Sequence, residues 1–312
     1  MSAETQRQFR EVQAHFRLPS LALVEKDLHV VRAIAALASL DAGPFRLVFG
    51  GGTALARAHK VVRRMSEDVD FKIVPLSDAA ISRSTLRQQL GTLRELVTDA
   101  LRAAGFAFDP GDPARMRSRN ENRYTVWQLP YAGEGGAGEG LRPTIQVELT
   151  YAPLRNPSVI LPVSSFVAEA YGHAPEVPEM ACVSIAETAA EKLISLTRRT
   201  AMELAGLSRD PDIALVRHIY DLHVMREHVD LDLVATMANA IATADAEEFG
   251  NQYPAYQADI IGETNKALAV LSDDVMHRNR YDSFIAAMVY GEKPAFVVAL
   301  ATVEVFAKRT IC

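Results

Sequence analysis

FGGGTALARAHKVVRRMSEDVDFKIV, residues Phe49–Val74, decides the fold of the N-terminal half. The apolar stretch Phe45–Gly50 leads into the glycines and reads as a buried strand. The glycines permit an abrupt turn, and Thr53–Lys60 reads as a helix opened by Thr53 as its cap. Glu67–Val74 alternates and reads as a second strand, ended by Pro75. Asp68 and Asp70 are two apart on that strand, so both project to one face. Two like charges there repel and raise one pKa unless a cation lies between them. Mg2+ is the obvious cation, because it takes carboxylates together with substrate phosphates. Taken singly, a D-x-D is also an ordinary solvated strand face, and a glycine run an ordinary tight turn.

A strand, a glycine turn and a helix form a natural anion site, since backbone N–H groups at the helix start point outward. The P-loop pattern G-x-x-x-x-G-K-[ST] is absent, and Gly50, Gly51 and Gly52 do not supply the dinucleotide fingerprint G-x-G-x-x-G.

Outward from this stretch, Ser20–Leu40 has apolar residues at helical spacing behind Pro19 and Ser20. Thr85–Phe106 reads as a long amphipathic helix and Asn122–Tyr131 as a third strand. AGEGGAGEG, residues 132–140, reads as a flexible loop. Pro143–Pro153 reads as a fourth strand, with Ile145, Val147 and Leu149 on one face and Gln146, Glu148 and Thr150 on the other. Beyond about Pro178 the chain reads as helical to its end. The expected class is α+β: a mixed sheet flanked by helices over residues 1–175, then a helical domain over 176–312.

The bulk numbers agree with ordinary globular domains: 312 residues, 49% hydrophobic and 23% charged. The sequence has no apolar run of membrane-spanning length and opens on a polar N-terminus, so a cytoplasmic protein without a membrane span is expected. Cys182 and Cys312 lack metal-type spacing and fit a reducing compartment. A net charge of −6 disfavours a general nucleic-acid coat but allows local basic sites. The candidates are Arg57, His59, Lys60, Arg63 and Arg64, and a second cluster of Lys192, Arg198 and Arg199.

A glycine turn at a helix start followed by a D-x-D strand resembles the DNA-polymerase-β-like nucleotidyltransferases. More narrowly, GGTALARAH with RRMSEDVDF resembles the AbiEii/AbiGii-type (MenT-like) toxins of type IV toxin–antitoxin systems. VEKDLHVVRAIAAL, ETAAEKLISLTRR and RHIYDLHVM are similar to further blocks of that family, in the same order, over roughly residues 23–226.

The resemblance implies that Gly51, Gly52 and Thr53 cradle nucleotide phosphates, with Ser66 preceding the acidic pair. It implies Asp68 and Asp70 as metal ligands, Glu148 as the third carboxylate, and Mg2+ or Mn2+ as the ion. Lys192 would contact the triphosphate, Asp221 would support the site, and Arg63 and Arg64 are candidate phosphate or RNA contacts. Lys192 is equally a residue type found solvated on amphipathic helices, and Asp221 is spaced to pair with Arg217 at i, i+4. The chain departs from the family where an acid usually follows the arginine: His218 stands there, with Asp210 and Asp212 upstream. The implied reaction is Mg-dependent transfer from an NTP to RNA, with the tRNA 3′ end as acceptor, blocking translation, with a cognate antitoxin encoded alongside. The alternatives are nucleotidylation of a protein hydroxyl, including self-modification, and a degenerate nucleotide-binding module.

Overall fold

The computed structural model describes residues 2–77, 81–131, 133, 141–208 and 212–311. Most of the Gly/Glu loop, as well as Asp210, lies outside the described residues. The chain divides into two compact units, Met1–Val183 and Ser184–Cys312.

The first unit runs α1 (Ala3–Phe16), α2 (Leu21–Ala38), β1 (Phe45–Gly50), α3 (Gly51–Arg57), β2 (Asp68–Pro75) and α4 (Arg83–Ala103). It continues with β3 (Met116–Arg119), β4 (Tyr124–Pro130), β5 (Thr144–Tyr151), β6 (Val159–Val163), α5 (Phe166–Tyr171) and β7 (Val177–Cys182). The strands form one mixed sheet in the order β3-β4-β5-β2-β1-β7-β6. β2 pairs antiparallel with β1 and parallel with β5. The expected strands and long helices are therefore present, with β3, β6 and β7 added.

One face of the sheet is apolar, as alternation requires. Leu47, Phe49, Val69, Phe71, Ile73, Ile145, Val147 and Leu149 pack there with Trp127 and Leu129. Val30, Ile34 and Leu37 of α2 and Leu90, Leu93, Val97 and Leu101 of α4 cover them. Burying each such side chain contributes roughly 1.5–3 kcal/mol before entropy is counted. Trp127 is fully buried, and its indole N–H donates to Thr98 Oγ1 at 3.0 Å. Because the period is two, packing this face turns Asp68, Asp70, Gln146 and Glu148 to the other side.

α3 begins one turn earlier than expected. Gly50 is its extended N-cap, and Thr53 lies inside the helix. The reason is Gly51, whose φ of +70° makes the chain turn at the glycines themselves.

The second unit is helical: α6 (Ile185–Leu204), α7 (Arg217–Met225), α8 (Leu231–Phe249), α9 (Pro254–Ala258), α10 (Ile260–Asp273), α11 (Val275–Met288) and α12 (Phe296–Ile311). Ser184 caps α6 through its hydroxyl, accepting from the Glu187 N–H at 3.2 Å. No helix among the described residues is long and apolar enough to cross a membrane.

Candidate functional site

The glycine turn and the acidic strand meet directly. Gly50 lies opposite Asp70 in the antiparallel register. A Cβ on Gly51 would stand 2.9 Å from Asp70 Cγ and 3.1 Å from its Cβ. Only glycine therefore lets the turn lie against this carboxylate in its left-handed conformation. A Cβ on Gly52 would stand 2.9 Å from Ser66 Oγ and 3.2 Å from Arg64 Cζ. Arg64 is buried under the turn, donating from Nη1 to the Met65 carbonyl at 2.9 Å, whereas Arg63 is exposed. Thr53 is buried, and its hydroxyl donates to the Asp68 carbonyl, tying α3 to the first residue of β2.

Glu148 on β5 lies opposite Asp70 in the parallel register, so three carboxylates share one patch of the sheet. Each has a partner within the chain. Arg142 Nη2 donates to Asp68 Oδ1, and Arg142 Nη1 donates to Gln146 Oε1 at 2.8 Å. Gln146 in turn donates to Glu148 Oε1, and the Tyr124 hydroxyl is hydrogen-bonded to the same carboxylate. Burial, then the Asp68 charge, pushes the Glu148 carboxyl above its usual range despite those hydrogen bonds.

Beneath the patch is a buried ion pair. Lys26 of α2 pairs with Glu67 and donates to the Arg142 carbonyl at 2.6 Å, and the Arg142 N–H donates to Glu67 Oε2 at 2.9 Å. Burial holds the Lys26 ammonium below its usual range, although Glu67 opposes this. Burial works to raise Glu67, but Lys26 and Arg142 together hold it below the usual carboxylate range. Next to Lys26, Asp27 lies 3.5 Å from Arg57 Nε, and the Arg57 guanidinium stacks 3.8 Å from the Phe166 ring centroid.

Among the described residues, no three His, Cys, Asp or Glu side chains converge as a ready-made metal cage. The cause is visible: Arg142 supplies the cation at Asp68, and Gln146 and Tyr124 hold Glu148. The donor set nevertheless suits a hard divalent cation, being all carboxylate oxygen and already requiring positive charge at Asp68.

In the helical unit, Lys192 on α6 is buried, with Nζ 2.9 Å from Asp221 Oδ2 and 3.3 Å from His218 Nδ1 on α7. Asp221 is thus a partner of Lys192, and His218, at the departure from the family pattern, joins the same cluster. Asp212 pairs with Arg199 at 2.6 Å.

A model of the family described as "Nucleotidyl transferase AbiEii toxin, Type IV TA system" matches residues 32–303. The chain belongs to the AbiEii family. This AbiEii chain is also similar in structure to MenT4, a nucleotidyltransferase toxin from Mycobacterium tuberculosis H37Rv. The TM-score is 0.50 at 20% identity, covering 95% of this chain and 98% of that chain. That likeness is one of fold. No curated protein matches the chain.

Two features of this AbiEii chain went unread in its sequence. Arg142 and the Lys26–Glu67 pair lie far apart along the chain, and no local pattern signals their meeting. The basic stretch at residues 57–64 divides: Arg57 and Arg64 are buried and His59 Nε2 lies 2.9 Å from the Val183 carbonyl, whereas Lys60, paired with Glu169 at 3.1 Å, and Arg63 are exposed. The second basic cluster is likewise paired, with Arg198 2.8 Å from Asp245.

Proposed function

We propose that this AbiEii chain transfers a nucleotide from an NTP to RNA, with the tRNA 3′ end as acceptor, and so blocks translation. The observation that supports this best is the closeness of the Gly51 turn to Asp70, with Glu148 beside Asp70 on the next strand. A phosphate-binding turn and a metal-binding acidic strand are then parts of one site.

The acceptor hydroxyl oxygen bonds to the α-phosphorus, the bond from that phosphorus to the bridging oxygen breaks, and pyrophosphate leaves. The hydroxyl proton passes to a Glu148 carboxylate oxygen, which acts as the general base. The backbone N–H groups of Gly51, Gly52 and Thr53 hold the triphosphate. The Thr53 hydroxyl is committed to Asp68, while the Arg64 and Ser66 side chains lie against Gly52 of the turn. Arg63 offers an exposed charge.

Asp68, Asp70 and Glu148 would hold Mg2+ or Mn2+, which supplies positive charge to the reacting phosphates. Loading Asp68 requires the Arg142 guanidinium to turn away. Lys192, held by Asp221 and His218 within the helical unit, is proposed as a triphosphate contact on the family resemblance alone. Membership of a toxin–antitoxin family supports a cognate antitoxin as partner, and a cytoplasmic location goes with NTP and tRNA as the proposed substrates.

The test is incubation of the purified protein with each α-labelled NTP, Mg2+ and total tRNA. Label in tRNA, lost in Asp68→Ala, is expected. Label in protein alone would move the reading to protein nucleotidylation, and tight NTP binding without any transfer to a degenerate module.

A further inference from the structure

The polar face of the sheet continues past Glu148. Antiparallel pairing sets Val126 and Tyr124 of β4 opposite Glu148 and Thr150 of β5, and Arg117 and Arg119 of the edge strand β3 opposite Val126 and Tyr124. Directly opposed residues project to one face, so both arginines share the face of the acidic pair. The electrostatics agree: the Tyr124 hydroxyl, hydrogen-bonded to Glu148, also feels the charge of Arg119. Three strand spacings separate Arg117 from Asp70, roughly 15 Å along the sheet.

Arg117 and Arg119 are exposed and pair with no carboxylate among the described residues. The β3–β4 turn that presents them is built at a cost. Asn120, Glu121 and Asn122 take φ of +50°, +57° and +69°, a run of left-handed residues without glycine. Arg83 Nε donates to Glu121 Oε2 at 2.7 Å, and Arg94 Nη1 and Ser118 Oγ donate to Asn122 Oδ1 at 3.1 and 2.9 Å. Glu121, the acid within the turn, is thereby taken up by Arg83. A pinned hairpin holding two arginines on the face of a phosphate-transfer site suits a polyanion. Charged side chains also guard edge strands against pairing, but that role needs neither this face nor this turn.

We propose that Arg117 and Arg119 bind backbone phosphates of the RNA acceptor and lead its end hydroxyl across Tyr124 and Thr150 to Asp70 and Glu148. The proposal rests on RNA being the acceptor. Such contacts position the strand without reading its bases.

The test is anisotropy of fluorescein-labelled tRNA titrated with the full chain at several salt concentrations, alongside binding of a fluorescent ATP analogue. In Arg117→Gln/Arg119→Gln, tRNA affinity is expected to fall roughly tenfold at physiological salt, and the log K against log salt slope by about 1.4–1.8. Nucleotide affinity should stay unchanged, and Arg117→Lys/Arg119→Lys should keep the slope. A glutamine variant with the wild-type affinity and slope would overturn the track while leaving RNA as acceptor. Equal losses in the lysine and glutamine variants would show that charge is not what matters, with the same consequence. A wild-type protein that binds the nucleotide and no tRNA at any salt would overturn both the track and the RNA reading.

Discussion

Gly51→Ala is the perturbation that separates a glycine kept for its backbone from one kept for a site. At φ +70° an alanine pays about 1–2 kcal/mol for the left-handed region alone. Its Cβ would also stand 2.9 Å from Asp70 Cγ, so the carboxylate must leave its rotamer at a further ~0.5–1.5 kcal/mol. The expected loss is about 1.5–3.5 kcal/mol, or roughly 3–14 °C in Tm for a unit of this size. Gly43 provides the control, because it has φ +63° and nothing within 4 Å of an added Cβ. Gly43→Ala should therefore pay the backbone cost and leave nucleotidyl transfer intact. Gly51→Ala should lose about a hundredfold in transfer, since it displaces a metal-binding carboxylate by around an ångström. Urea unfolding and initial rates measure the two effects. In an Asp70→Gly background, which removes both the Cβ and the carboxylate, the added stability cost of Gly51→Ala should fall to that of Gly43→Ala. If Gly51→Ala is no more destabilising than Gly43→Ala and transfers at the wild-type rate, the turn and Asp70 do not form one site.

Lys26→Met leaves Glu67 buried without its ammonium partner and is expected to cost about 3–5 kcal/mol by urea unfolding. A cost under about 1 kcal/mol would remove that pair as a support of the site. Burial raises the Asp27 carboxyl from 3.8 to about 6 against the pull of Arg57. The folded unit thus holds a proton that the unfolded chain releases across that range. The stability it contributes is complete below about pH 4 and lost as pH rises through about 6, at up to ~1.4 kcal/mol per pH unit. Asp27→Asn should flatten that slope, and an unchanged pH profile of unfolding would contradict it. Arg142→Gln removes the cation that competes at Asp68, so Mn2+ measured by EPR titration should bind about tenfold tighter, the equivalent of one charge-assisted hydrogen bond. Equal or weaker Mn2+ binding would show that Arg142 does not compete for the site.

The part of the site that was legible in the sequence is the part with local spacing. Alternation placed Asp68 and Asp70 on one strand face and Glu148 on the polar face of another, and the register then set Glu148 beside Asp70. The glycines announced a turn, but not that Gly51 rather than Thr53 begins it, because a left-handed φ has no sequence mark beyond glycine itself. β3 was hidden because MRSR has neither a branched apolar run nor an apolar face of its own, and its pairing with β4 sets it. β6 and β7 were hidden by their prolines, Pro162 and Pro178, which edge and entry positions tolerate. The cations Arg142 and Lys26 were unreadable for a different reason: their partners lie 74 and 41 positions away, and only the folded sheet brings them together. The basic run before Ser66 gave no sign of which of its cations are buried: Arg57 and Arg64 are inside the unit, Lys60 and Arg63 at its surface.

The most direct test of the account is a paired labelling of one nucleotide, at the α- or at the γ-phosphate, incubated with tRNA and Mg2+ in the presence of wild-type protein or Asp70→Asn. The α-label should appear at the tRNA 3′ end and the γ-label in pyrophosphate, in equal amounts, and Asp70→Asn should abolish both. Transfer by Asp70→Asn at the wild-type rate, or a γ-label that ends on the acceptor, would contradict the account.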